Sequence, residues 1–235
     1  MDFKKIEIKI KNEIETAFSN ILKSNNYIFP ISAKSRSGAE ISDYLEDSIV
    51  DYYKNNSSYI SNVLGAPKGK TKNPYDFCFD FTDNETNFKD LIWADIKATK
   101  HSYNDSNPDL GTPEKIIKFI LDGHFYLLFV FFEYESTDDN QTKFIPFNDG
   151  KYVHCQFLKD INHTVRINPK PQFQVNINEP EEYRSINDFI NLFYKKYQES
   201  IDRIVHIQEK KKNQLDYRFE NIKQKISYYQ DKKWN

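Results

Sequence analysis

The chain has 235 residues, with 33 Lys and Arg against 35 Asp and Glu; the net charge of −2 excludes a strongly basic protein and leaves any nucleic-acid contact to local patches. Its length allows one sizeable core with an appendage, and 19 Phe and 16 Tyr against 6 Gly suit a packed α+β protein while arguing against a glycine-rich nucleotide-binding loop, so no nucleotide cofactor is expected. Cys78 and Cys155 lack paired or metal-type spacing and read as reduced thiols of a cytoplasmic protein; the charged start (Asp2, Lys4, Lys5, Glu7, Lys9) predicts no signal peptide, and no run of about 18 apolar residues predicts no membrane span.

Residues 2–25 predict an amphipathic helix, with Ile6, Ile10, Ile14, Phe18 and Leu22 four apart. A second helix is expected from Gly38 to Lys54, opened by a capping-box spacing of Ser37 with Glu40 and striped by Ile41, Leu45, Ile49 and Tyr52. A lysine-bearing loop, 65–74, then leads to Phe77, Phe79 and Phe81 alternating with Cys78 and Asp80, the period of a strand with one buried face. Residues 82–87 carry turn chemistry, and Phe88 to Lys97 reads as the returning strand. Residues 101–111 read as a polar loop. Thr112 as cap and Pro113 at the first helical position start a third helix through Leu121, ended by Gly123, and His124 to Glu135 reads as a central strand. Between 136 and 184, short apolar runs at 144–147, 152–158, 164–167 and 173–177 predict strands joined by long loops. From Ser185, with Asp188 at capping distance, a helical region runs to about Lys232, as one long helix or as a helical hairpin broken near Gln208–Gln214.

An acidic residue two before a lysine occurs six times: Asp2–Lys4, Glu7–Lys9, Asp95–Lys97, Asp149–Lys151, Glu209–Lys211 and Asp231–Lys233. Only Asp95-Ile96-Lys97 lies in an apolar run that follows a second acidic strand residue. In a hairpin centred near Glu85–Thr86, Asp76 falls opposite Asp95, while Trp93, Asp95 and Lys97 share a face. Two carboxylates and an amine then converge on a hard oxygen site of the kind Mg2+ prefers. Trp93 itself is expected in the core.

At these residues the chain resembles the nuclease superfamily defined by a Pro-Asp … (Asp/Glu)-x-Lys motif. Asp95-Ile96-Lys97-Ala98-Thr99-Lys100 after Pro74-Tyr75-Asp76 is similar to orthodox type II restriction endonucleases of the blunt-cutting, EcoRV-like group, with Tyr75 a departure between the proline and the acid. The likeness covers about 60 residues, Gly38 to Lys100. It implies an α+β restriction-endonuclease-like core, a central mixed sheet flanked by helices, over residues 1–184. The helical C-terminal region, 185–235, would supply dimer or DNA contacts. It implies Mg2+ held by Asp76, Asp95 and the Ile96 carbonyl, with Lys97 positioning water and phosphate and assisting deprotonation if its pKa is depressed. The acidic residue that such enzymes add from a preceding helix is assigned to Glu46, ahead of Glu40; Asp43 and Asp47 read as solvated charges. The implied activity is hydrolysis of double-stranded DNA at a short palindromic site, leaving 5′-phosphate and 3′-hydroxyl ends, by a homodimer.

DNA contacts are expected from Lys68, Lys70, Lys72 and Asn73 before the motif, from Thr99 and Lys100 after it, and from Asn168, Lys170, Gln172, Gln174 and Asn176, where Asn and Gln suit adenine. Two other readings remain open at this level: a junction-resolving or repair nuclease of the same fold, and a non-catalytic interaction module.

Overall fold

In a computed structural model, the structure describes residues 2–31, 37–56, 59–67, 74–101, 108–139, 141–166, 171–175 and 179–233. The elements follow the hydropathy periods closely. Helix α1 (Phe3–Ser24) buries Ile6, Ile10, Ile14, Phe18 and Leu22, and Asp2 caps it by accepting from the Lys5 N–H at 3.3 Å. After the two-residue strand β1 (Ile28–Phe29), helix α2 (Ser37–Asn55) buries Ile41, Leu45 and Ile49 along one stripe.

Strands β2 (Ile60–Gly65), β3 (Phe77–Asp83) and β4 (Phe88–Lys100) form an antiparallel meander. The β3–β4 ladder runs from Phe77↔Ala94 to Asp83↔Phe88, so the hairpin is centred between Glu85 and Thr86. Asp83 closes the turn, accepting from Thr86 Oγ1 at 2.9 Å and from the Glu85 N–H at 3.2 Å. Strand β5 (Asp109–Gly111) follows, then α3 (Pro113–Leu121). Thr112 stands at its N-cap without a side-chain capping bond, so Pro113 carries the start. Gly123 supplies the positive φ of 89° past its end, where an L side chain would be strained.

The sheet is completed by β6 (Leu127–Ser136), β7 (Thr142–Ile145) and β8 (His154–Phe157). Strand order is β1-β7-β6-β4-β3-β2, with β8 also paired to β6. Among the described strands only β4 and β6 run parallel; α3 provides the crossover between them, as a parallel connection requires. Because helices cover both faces, β6 is apolar and buried from Leu127 to Phe132. Leu128, Val130 and Phe132 join the core under α1 and α2, while Leu127, Phe129 and Phe131 join a second core. A 3-10 turn, η1 (Leu158–Asp160), leads to β9 (His163–Arg166) and β10 (Gln172–Val175), which with β5 make a small second sheet in the order β5-β10-β9.

The last element is one helix, α4 (Ile186–Lys233), of 48 residues. Ser185 and Asp188 form a reciprocal cap: Asp188 N–H donates to Ser185 Oγ at 3.2 Å and Ser185 N–H to Asp188 Oδ2 at 3.4 Å. Phe189 and Phe193 bury its first turns in the second core. The chain entering it is tied down by buried Lys159, whose Nζ lies 2.9 Å from Glu7 Oε2 and 2.7 Å from Asp160 Oδ1 and donates to the Arg184 carbonyl at 2.9 Å. One ammonium thereby joins α1, η1 and the base of α4.

The α+β architecture with a mixed central sheet and a long C-terminal helix is as the sequence predicts. Two local expectations are corrected. Residues 60–65 form a strand where none was expected, and 109–111 form another within the expected loop. Of the two forms left open for the final helical region, the structure has the single helix, since neither Gly nor Pro interrupts 186–233. No helix among the described residues is long and apolar enough to cross a membrane.

Candidate active site

The alternation along β4 decides which side chains can meet. Ile92, Ala94 and Ile96 face the first core, so Trp93, Asp95 and Lys97 face the other way. On β3 the phenylalanines take the core side, which turns Asp76 toward Asp95. The ladder continues one step past β3, with the Asp76 N–H donating to the Ala94 carbonyl at 2.8 Å. Asp76 Oδ2 in turn accepts from the Ile96 N–H at 2.7 Å, fixing its carboxylate against β4. Tyr75 does not disturb this placement, because its ring packs on Trp93 with centroids 4.2 Å apart and is absorbed into the second core.

Asp95, 7% exposed, lies with its Oδ2 2.6 Å from Lys97 Nζ. Burial pushes the Asp95 carboxyl up to about 7; the Lys97 ammonium opposes this rise and the neighbouring Asp76 carboxylate adds to it. Burial raises Asp76 as well, against the Ile96 N–H bond and the Lys97 charge. At Lys97, burial works to lower the pKa, but Asp95 and then Asp76 outweigh it and the pKa is raised. The two carboxylates beside it favour its ammonium form, which is suited to holding an anion.

These three side chains open on a cleft of about 490 Å³ at the C-terminal end of β4. Its wall is built from the first turns of α2 (Gly38, Ala39, Ser42, Asp43), from Ala98, Thr99 and Lys100 of β4, from Pro108 and Asp109, and from Tyr134 of β6. Gly38 stands against Ala98, where a Cβ would lie 3.6 Å from the Ala98 carbonyl, so the N-terminus of α2 abuts the strand that carries the motif. Ser42 Oγ donates to the Ile96 carbonyl at 3.3 Å.

Glu46 is buried one turn farther along α2, outside the residues lining the cleft, and packs so closely on Gly65 that a Cβ there would overlap its Oε1. Asp43, read from sequence as a solvated charge, is exposed and lines the cleft, and its charge contributes to the raised pKa of Asp76. Glu40 is exposed. Among the DNA-contact candidates, Thr99 and Lys100 line the cleft, and Gln172 and Gln174 lie on β10. Gln174 Nε2 donates to Asp109 Oδ1 at 3.0 Å, which joins the small sheet to the cleft wall. Lys68, Lys70, Lys72, Asn73, Asn168, Lys170 and Asn176 lie outside the described residues. Sequence reasoning missed Ser42, Asp109 and Tyr134, for which no spacing signal exists.

No group of three or more His, Cys, Asp and Glu side chains is gathered for a metal among the described residues. The donor set is instead two carboxylates, Asp76 and Asp95, with the Ile96 carbonyl beside them. Two acids held together in a buried site, both with raised pKa, lack positive charge even with Lys97 present. A hard dication that keeps several waters fits that deficit and needs few protein ligands.

Among solved structures, the NlaIV restriction endonuclease matches with a TM-score of 0.44 and 13% identity, over 71% of this chain and 66% of that one, just under two thirds of its length. No curated protein matches the chain in sequence. The profile of the SwaI-like family, described as SwaI restriction endonuclease, matches residues 2–215, which span both sheets, the cleft and most of α4. The chain belongs to the SwaI-like restriction endonuclease family.

Proposed function

We propose that the protein is a type II restriction endonuclease of the Pro-Asp … (Asp/Glu)-x-Lys superfamily and its EcoRV-like group. It hydrolyses double-stranded DNA at a short palindromic site to 5′-phosphate and 3′-hydroxyl ends, as a cytoplasmic homodimer. The observation that carries the reading is the juxtaposition of Asp76, Asp95 and Lys97 at the mouth of one cleft in a chain of this family.

Asp76, Asp95 and the Ile96 carbonyl would hold Mg2+, which when bound acidifies a water and offsets negative charge on the phosphoryl group. The chain's own groups do the rest. The Lys97 ammonium, kept protonated by the two acids, holds a phosphate oxygen and the attacking water in position. The α2 N-terminus, presenting Gly38 and Ala39 to the cleft, favours an anion there. Asp43 takes the part assigned from sequence to Glu46, orienting a water across the cleft. Thr99 and Lys100, with Lys68, Lys70, Lys72 and Asn73, contact the DNA backbone. Gln172, Gln174, Asn168, Lys170 and Asn176 read bases, with a preference for A·T pairs. Residues 1–184 form the cleaving core, and a two-strand cut at a palindrome calls for two such centres related by a twofold axis.

Incubation of the purified protein with phage DNA and Mg2+ tests the reading. Discrete fragments with ligatable ends are expected. Preference for branched over linear DNA would redirect it to a structure-selective nuclease, and intact DNA across a panel of sequences would end it.

A further inference from the structure

Past Ser200, the last buried residue of α4, the helix runs on for 33 residues, about 50 Å, with nearly every described side chain exposed. Most of its exposed apolar residues share one stripe, with Ile207, Tyr217 and Tyr228 lying off it. Ile201, Val205, Leu215, Phe219, Ile222 and Ile226 are all between 46% and 54% exposed and fall on the two seam positions of one uninterrupted heptad frame. Val205, Lys212, Phe219 and Ile226 occupy the first seam position, a, and Ile201, Gln208, Leu215 and Ile222 the second, d. A stripe on these two positions is the pattern of a two-stranded coiled coil, and the one Lys at a is a register-setting device.

The flanks identify the partner. Position g carries Lys211, Arg218, Lys225 and Lys232, each seven apart, and position e carries Asp202, Glu209 and Asp216 before Lys223. One side of the stripe is basic and the other largely acidic, so the helix is complementary to a copy of itself. In a parallel pair, g of one helix faces e of the next heptad on the other, which sets Lys211 against Asp216. An antiparallel pair would set the basic flank against itself. The seam also extends onto the body. Tyr194, one heptad before Ile201 and 66% exposed, borders an apolar groove with Ile117, Ile120 and Leu121 of α3, where Leu121 is 80% exposed.

We infer that residues 201–229 pair in parallel with the same segment of a second copy of this chain, making α4 the dimer interface. The inference supplies the contact for the dimer in the reading above, but its test is molecular mass and not cleavage. By sedimentation equilibrium the native protein should have twice the 28.0 kDa chain mass, and the doubly substituted Leu215→Glu/Ile222→Glu protein the mass of one chain, with unchanged helical circular dichroism. Lys211→Glu should raise the dissociation constant, by roughly two- to fivefold for each of the two symmetric contacts, and added Asp216→Lys should restore it. The same register faces Arg218 with Lys223, so Lys223→Glu should tighten the dimer by a similar factor. Oxidised Leu215→Cys and Ile222→Cys proteins, made separately, should both give covalent dimers, which an antiparallel pair cannot do at both positions.

A monomeric native protein at micromolar concentration, or a doubly substituted protein that stays dimeric, overturns the inference. Loss of DNA affinity with unchanged mass would overturn it too and make α4 a DNA clasp. A dimer that cleaves nothing leaves the interface standing and removes the nuclease reading; a monomer that cuts DNA does the reverse.

Discussion

Replacing Asp95 by Asn should make the metal-free protein more stable while removing its activity. The folded protein raises the Asp95 carboxyl from an ordinary value of 3.8 to about 7, chiefly by burial. Between those values the folded state binds the proton more tightly than the unfolded chain does. The stability that this proton contributes is full below about pH 4 and is lost as pH rises through about 7. At about 1.36 kcal/mol per pKa unit, the ionised carboxylate costs the fold up to about 4 kcal/mol at pH 8, with the attraction of Lys97 at 2.6 Å already included. Asn keeps the shape and carries no charge. Urea unfolding in the presence of a chelator should therefore show the Asp95→Asn protein more stable than its parent at pH 8, with a difference of a few kcal/mol that narrows as pH falls to 5. In heating experiments this corresponds to about 2–4 °C per kcal/mol. A variant less stable than the parent at pH 8 would show that the Lys97–Asp95 ion pair outweighs burial, and the electrostatic account of the site would fail.

Other outcomes follow from the same geometry. Asp76→Ala and Lys97→Ala should each lower the cleavage rate by about 10²–10³-fold or more, measured at saturating enzyme, while leaving the circular dichroism spectrum unchanged. Asp43→Ala should slow cleavage by about tenfold, some 1.4 kcal/mol in the barrier, with little change in unfolding free energy. Glu46→Ala should do the opposite, because that side chain is packed against Gly65 outside the cleft. Lys159→Ala strands Glu7 and Asp160 in a buried site without their ammonium; a loss of about 3–5 kcal/mol in urea unfolding is expected.

The β3–β4 hairpin was legible because two physical signals agreed. A strict period of two set the faces, and turn residues of the right number set the register, so the pairing of Asp76 with Asp95 needed no tertiary knowledge. Strand β2 was not legible, since Ile60 is its one fully buried residue and an edge strand with one apolar anchor has no visible period. The polar segment Gln208–Gln214 looked like a break in the last helix only because its seam positions carry Gln and Lys; backbone propensity ran through it unbroken. That Asp43 and not Glu46 lines the cleft was not legible for a related reason. Both sit on the same side of α2 one turn apart, and helical phase cannot say which turn meets the end of β4. That is decided by the contact of Gly38 with Ala98, which belongs to tertiary packing. Likewise Asp109 enters the cleft through a three-residue strand paired to β10, an arrangement invisible in local sequence.

The central claim is that Asp76, Asp95 and Lys97 form one DNA-cleaving centre, and single-turnover cleavage by the Lys97→Ala protein tests it most directly. The DNA is the site mapped for the native enzyme, with binding measured in Ca2+ and cleavage started by Mg2+. The account predicts that the variant binds this site as the native protein does and leaves it uncut. Cleavage by the variant at the native rate would contradict it.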